Sequence, residues 1–127
     1  MHMLKKKIYY HDTDSGGVVY YANYLKYIEE ARTEYFAERG IDLGSLAKAG
    51  TLFVVSRQEV DYKYPGFYAD TLAIETGVMF ASGARLGFEH SITNQHGRLL
   101  VKALTTLVCV DKNLKPQAVP EEIKSKL

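Results

Sequence analysis

With 127 residues, 46% of them hydrophobic, the chain has apolar material for one globular domain with a modest core. Sixteen basic and 15 acidic side chains are mixed along it for a net charge of +1, which excludes the basic footprint of a nucleic-acid binder. A single cysteine, Cys109, excludes an internal disulfide framework; with no signal-like leader and no apolar run of membrane-spanning length, this predicts a cytoplasmic protein without membrane insertion.

Residues 3–10 alternate loosely and end in Ile8-Tyr9-Tyr10, which predicts a strand. A loop follows with two acids, a hydroxyl and adjacent glycines. From Asn23 to Arg39 apolar residues recur with helical period at Tyr24, Tyr27, Ile28, Ala31 and Tyr35. Lys26, Glu29, Glu30 and Thr33 mark the opposite side, Asn23 is placed as the N-cap, and Gly40 as a left-handed residue past the end. Leu43, Leu46 and Ala47 suggest a turn or two of helix before Gly50.

The period then changes to two. Val60, Tyr62 and Tyr64 alternate with charged residues up to the break at Pro65-Gly66. Leu72 to Phe80 alternate up to Ser82-Gly83, and Leu86, Phe88, His90 and Ile92 form a third set ending at a turn, Asn94 to Gly97. Arg98 to Val110 is apolar on both sides, as in an interior strand, and from about residue 112 Pro116 and Pro120 predict a loosely ordered tail. The whole is a single α+β domain over 1–127: one strand, a long helix, then four antiparallel strands. One amphipathic helix covers one sheet face, so a second copy of the chain is expected on the other face or the sheet edge.

The chemistry concentrates between His11 and Tyr24. Such a loop feeds a helix N-terminus, where orphan N–H groups and the positive end of the helix dipole gather. Asp14, followed by Ser15-Gly16-Gly17, could attack a carbonyl polarised by those donors, with Gly17 letting a ligand approach the backbone. Asp12 and Asp14 could equally serve only their own loop, as Asx residues do. A calcium loop would need Asp or Asn in place of Gly16 and Glu in place of Asn23, so the metal reading fails. His11 lies three residues from Asp14 and is a candidate acid or base. His90 falls on an inward strand position and reads as a hydrogen-bonded core residue. Nucleophilic-serine and phosphate-binding glycine motifs are absent, and most of the ten tyrosines read as a packed aromatic helix face.

The run from Asp12 through Asp14, Gly16-Gly17 and Tyr20-Tyr21-Ala22-Asn23-Tyr24, followed by Glu30-Ala31-Arg32, resembles the 4-hydroxybenzoyl-CoA thioesterase branch of the hotdog-fold enzymes. It is similar, within that branch, to the YbgC-like, Tol–Pal-associated acyl-CoA thioesterases. Ser56 to Pro65 and Asp70-Thr71-Leu72 match it too, so the likeness covers Lys6 to Val110. It implies a hotdog fold, a five-stranded antiparallel sheet wrapped around the helix, in homodimers and often homotetramers with sites at the subunit interface. It makes Asp14 the catalytic acid and Tyr21 the residue whose backbone N–H polarises the thioester, where several relatives carry His. Ser82, Gly83 and Arg85 fall where the family meets the CoA portion, and Asn23 is a candidate to cap the helix or orient water. No cofactor or metal is implied. Acyl-CoA is the implied substrate, with an acyl-carrier protein as the other donor to consider. Two other readings stay open at this point: a hotdog hydratase or dehydratase using His11, and a non-catalytic acyl-thioester binder.

Overall fold

A computed structural model describes residues 1–127. Five strands, β1 (His2–Lys7), β2 (Leu52–Tyr62), β3 (Thr71–Ser82), β4 (Arg85–Thr93) and β5 (Leu99–Val110), form one antiparallel sheet in the order β1-β3-β4-β5-β2. The helices are α1 (Asn23–Glu38), α2 (Leu43–Lys48) and α3 (Glu121–Lys124). The last three strands run as a meander, whereas β2 pairs with β5, so β1 and β2 are the two edges.

The stripe read from the helical period is the stripe that is buried: Tyr24, Tyr27, Ile28, Ala31 and Tyr35 all face the sheet. Two apolar clusters fill the space under α1. One gathers Ile8, Ile28, Ile74, Ile92 and Val101, and the other Phe36, Leu86, Phe88, Leu107 and Ile123. Inward polar side chains occupy two neighbouring cross-strand positions, Thr76 beside His90 and Thr105 beside Gln58, and Arg32 is buried on the helix. Thr76 Oγ1 meets His90 Nδ1 at 3.0 Å, and Thr105 Oγ1 donates to Gln58 Oε1 at 2.8 Å. His90 is the hydrogen-bonded core residue its strand position predicts, with its Nε2 unpartnered. α1 lies mainly over β1 and β3 and touches β2 at its ends, through Phe36 on Phe53 and Tyr24 against Tyr62.

Three local expectations are corrected. The first strand stops at Lys7, because the Asp12 carboxylate takes the Tyr9 N–H at 2.9 Å and curls Tyr10–Asp12 into a 3-10 turn. The N-cap of α1 is Ala22, which offers no side-chain cap, since the Asn23 amide is spent elsewhere. The expected loose tail is ordered: Val119 N–H donates to Gly83 O at 2.9 Å, and Val119 and Ile123 are buried in the second cluster. Gly40 does take the left-handed conformation past α1, at φ +74°.

Candidate active site

The stretch from Asp12 to Tyr20 is a miniature hairpin set against the start of α1. Tyr20 N–H donates to Asp12 O, Asp14 N–H donates to Val18 O, and Gly17 N–H closes the tip on Asp14 O, all within 2.9–3.0 Å. Gly17 at φ +81° supplies the left-handed residue this tip demands. On the far side, Val19 N–H donates to Gly66 O at 2.8 Å. Gly66 lies so close that a Cβ there would stand 2.9 Å from Tyr24 Oη and 3.0 Å from Val19 Cγ2. The loop is thus clamped from both sides.

Asp14 sits at the exposed tip. Its Oδ1 accepts from Gly16 N–H at 2.8 Å, so the Asx-turn reading is met in full, and Oδ2 makes no hydrogen bond within the chain. The Asx turn and a chemical role are compatible: one oxygen fixes the carboxylate and the other is available. Tyr20's phenol is pushed up mainly by adjacent Tyr21 and, less strongly, by the charge of Asp14.

At the helix start the backbone N–H groups of Tyr21, Ala22 and Tyr24 make no hydrogen bond within the chain. These are the orphan donors of a helix without a side-chain cap, at the positive end of the dipole. Tyr21 and Tyr62 meet edge to face at 6.2 Å, and Tyr62 Oη donates to Tyr21 O at 3.2 Å. With Tyr24, Tyr64, Val19 and Pro65 these rings line a cavity of about 280 Å³ beside the donors.

Not every candidate converges here. Asn23 is buried and gives its side-chain N–H to Asp12 O at 2.9 Å. His11 is exposed, and its Nε2 lies 3.5 Å from Asp12 Oδ2, so its acidic neighbour is Asp12. Ser82, Gly83 and Arg85 form the β3–β4 turn, with Arg85 over the Phe80 ring at 5.4 Å. The Asp14 loop leaves the sheet where Ile8 N–H meets Asp70 O, at the opposite end of β3. The 12 residues of β3 separate the two ends, roughly 36 Å at about 3.3 Å per residue.

The sequence reading missed Tyr27. Its hydroxyl donates to Asp12 Oδ1 at 2.7 Å from the buried face of α1. The available signal was a phenol on a stripe where a phenylalanine would pack as well.

A five-stranded antiparallel sheet packed on one long helix, entered through a glycine-rich loop, is the hotdog arrangement of thioesterases, and the chain belongs to the Thioesterase-like superfamily, whose model matches residues 9–127. Within it, the chain is 38% identical over 118 residues to the acyl-CoA thioester hydrolase YbgC of Escherichia coli, covering 92% of this chain and 88% of that one. It is 39% identical over 121 residues to the acyl-CoA thioesterase YbgC of Haemophilus influenzae, covering 94% and 88%. Among solved structures, a probable thioesterase from Bartonella henselae superposes with a TM-score of 0.88 at 30% identity, over 94% of this chain and 98% of that one.

Proposed function

We propose that this protein hydrolyses acyl-CoA thioesters to a free acid and CoA, with Asp14 as the reacting carboxylate. The observation that carries the reading is a carboxylate held by Gly16 N–H, in the loop that leads into a helix start with three unspent backbone N–H groups, in a chain of this superfamily. The thioester carbonyl oxygen would sit against the Tyr21 N–H and its neighbours. As the tetrahedral centre forms, that oxygen gains charge, and preorganised donors stabilise it; one such donor contributes about 2.7–4 kcal/mol elsewhere. Asp14 then either attacks the carbonyl carbon, expelling CoA thiolate and leaving a mixed anhydride for water to cleave, or takes a proton from an attacking water. The tyrosine-lined cavity takes the acyl group, ring or chain. Gly17 keeps the approach to the backbone open.

The catalytic unit in this reading is a homodimer, able to pair further into a homotetramer, working in the cytoplasm on acyl-CoA or on acyl groups carried by an acyl-carrier protein. Ser82, Gly83 and Arg85 meet the CoA portion from the second subunit, since they lie at the wrong end of their own sheet. Arg85 supplies a guanidinium for phosphate.

Asp14→Asn tests the assignment. Thiol release from acyl-CoA falls by at least about 10²–10⁴-fold, the range of a lost acid–base group, while circular dichroism and Tm stay at wild-type values. Single turnover in ¹⁸O-water tests the nucleophilic route: label entering the Asp14 carboxylate marks the nucleophile, whereas label only in the product acid fits the base route or water attack on the acyl carbon of the anhydride, which trapping the anhydride with hydroxylamine distinguishes. Full activity in Asp14→Asn would remove the proposal, and equal loss in His11→Ala would move the chemistry to the imidazole.

A further inference from the structure

Asp12 is nine-tenths buried, two residues from Asp14, and every acceptor on it that reaches the protein is used. Its Oδ1 takes the Tyr27 hydroxyl at 2.7 Å and its Oδ2 the Tyr9 N–H at 2.9 Å. Its carbonyl oxygen takes two donors at 2.9 Å, the Asn23 side chain and the Tyr20 backbone. Asn23 and Tyr27 are one turn apart on α1, so one residue ties the outgoing arm of the hairpin to the first two turns of the helix. Asp14, by contrast, bonds only within its own loop, to Val18, Gly17 and Gly16. Its place relative to the Tyr21 N–H is therefore inherited from the base of the hairpin.

We propose that Asp12 is a positioning residue: through Tyr27 and Asn23 it sets the register of the Asp14 carboxylate against the bare amides at the start of α1. The inference rests on the reading of Asp14 given above. Burial works to raise the Asp12 carboxyl, but the Tyr9 N–H, the Tyr27 hydroxyl and the nearby charges of His11 and Lys6 outweigh it and hold it below the usual carboxylate range. The group is thus an anion bound by its donors rather than a stray loop acid. A lever of two residues matters because reacting groups must be held close to their productive geometry, and a displacement of about 1 Å can cost about 100-fold in rate.

The tie can be removed or rebuilt. Asp12→Ala deletes both carboxylate bonds. Asp12→Asn can keep them: its Oδ1 accepts from Tyr9 N–H, and its amide N–H donates to a Tyr27 hydroxyl turned to accept. Tyr27→Phe removes only the carboxylate's bond to the helix and leaves the Asn23 bond to the Asp12 carbonyl. Steady-state kinetics on acyl-CoA, with Tm measured in parallel, give the readout. Asp12→Ala lowers kcat by about 100-fold with KM within about threefold of wild type, Asp12→Asn recovers most of that loss, and Tyr27→Phe falls between. Should Asp12→Ala not fold, the ordering of Asp12→Asn above Tyr27→Phe in kcat decides the same question. Wild-type kcat in Asp12→Ala or in Tyr27→Phe, a loss confined to KM, or Asp12→Asn no better than Asp12→Ala would overturn the proposal. Asp14→Asn keeps the two questions apart: if it is inactive while Asp12→Ala or Tyr27→Phe turns over normally, only the positioning role is lost.

Discussion

His90 shows how a single residue couples the core to pH. Its imidazole is 1% exposed, bonded to Thr76 on one side and open on the other. Burial first, and then the charge of Arg32, push it down to about 3. Arg32 itself is buried, joins none of the ion pairs within the chain, and is lowered by the same burial. A protonated His90 would thus place two cations close together in the buried interior. The unfolded imidazole titrates near 6.5, about its ordinary value, so below that pH the unfolded chain binds a proton that the native one refuses. His90 therefore contributes stability above about pH 6.5 that is lost as pH falls toward about 3. Asp12, also depressed, acts in a lower window, beneath the ordinary carboxylate value of about 3.9. We expect the urea midpoint to drop between pH 7 and pH 5, and His90→Leu to flatten that slope. At pH 7 the same variant should lose about 1–3 kcal/mol for the stranded Thr76 hydroxyl. An unchanged slope would contradict the assignment.

At the scale of elements, the C-terminal segment offers the sharpest measurement. Ile123 projects from the four-residue α3 into the cluster of Phe36, Leu86 and Phe88, with 4% exposure. Ile123→Ala should cost about 2–5 kcal/mol in denaturant unfolding, whereas a loose tail would give less than about 0.5 kcal/mol. The sequence hid this because Pro116 and Pro120 are turn residues, and one isoleucine among Glu and Lys carries no period. The long helix and the alternating strands were legible, since α1 and β2 to β5 repeat their pattern long enough to read. What escaped was set by single contacts between distant residues. Asp12 on Tyr9 shortens β1, Asn23 on Asp12 takes the cap away from α1, and Tyr27 on Asp12 hides a polar bond in an apolar stripe. In the candidate site, loop chemistry alone left Asp14 between an Asx turn and a chemical role, while aromatic walls at Tyr20, Tyr21, Tyr24 and Tyr62 were expected, and Tyr21, Tyr24 and Tyr62 do meet where β2 crosses to the helix.

The whole molecule carries an unfinished edge. β2 is an edge strand 11 residues long with Val54 at 38% and Val55 at 51% exposure. Natural edges of this length are usually covered or charged. The same edge flanks the tyrosine-lined cavity, and the residues assigned to the CoA portion lie at the far end of the sheet from Asp14. In the proposed homodimer, a twofold pairing along β2 would account for both and bring the Arg85 end of one copy to the Asp14 end of the other. Val54→Glu with Val55→Glu should therefore convert a dimer to a monomer in analytical ultracentrifugation and lose turnover, while Asp14→Asn loses turnover as a dimer. Shared sites predict complementation. Inactive Asp14→Asn mixed with impaired Arg85→Ala forms hybrid dimers in which one site has both residues intact and the other has neither. With random exchange, half the dimers are hybrids, so about a quarter of all sites regain wild-type function. Recovery to that level at subsaturating acyl-CoA, after unfolding and refolding the mixture, identifies a site built from two chains. Activity no higher than the mean of the two separate variants would place Arg85 and Asp14 in independent roles.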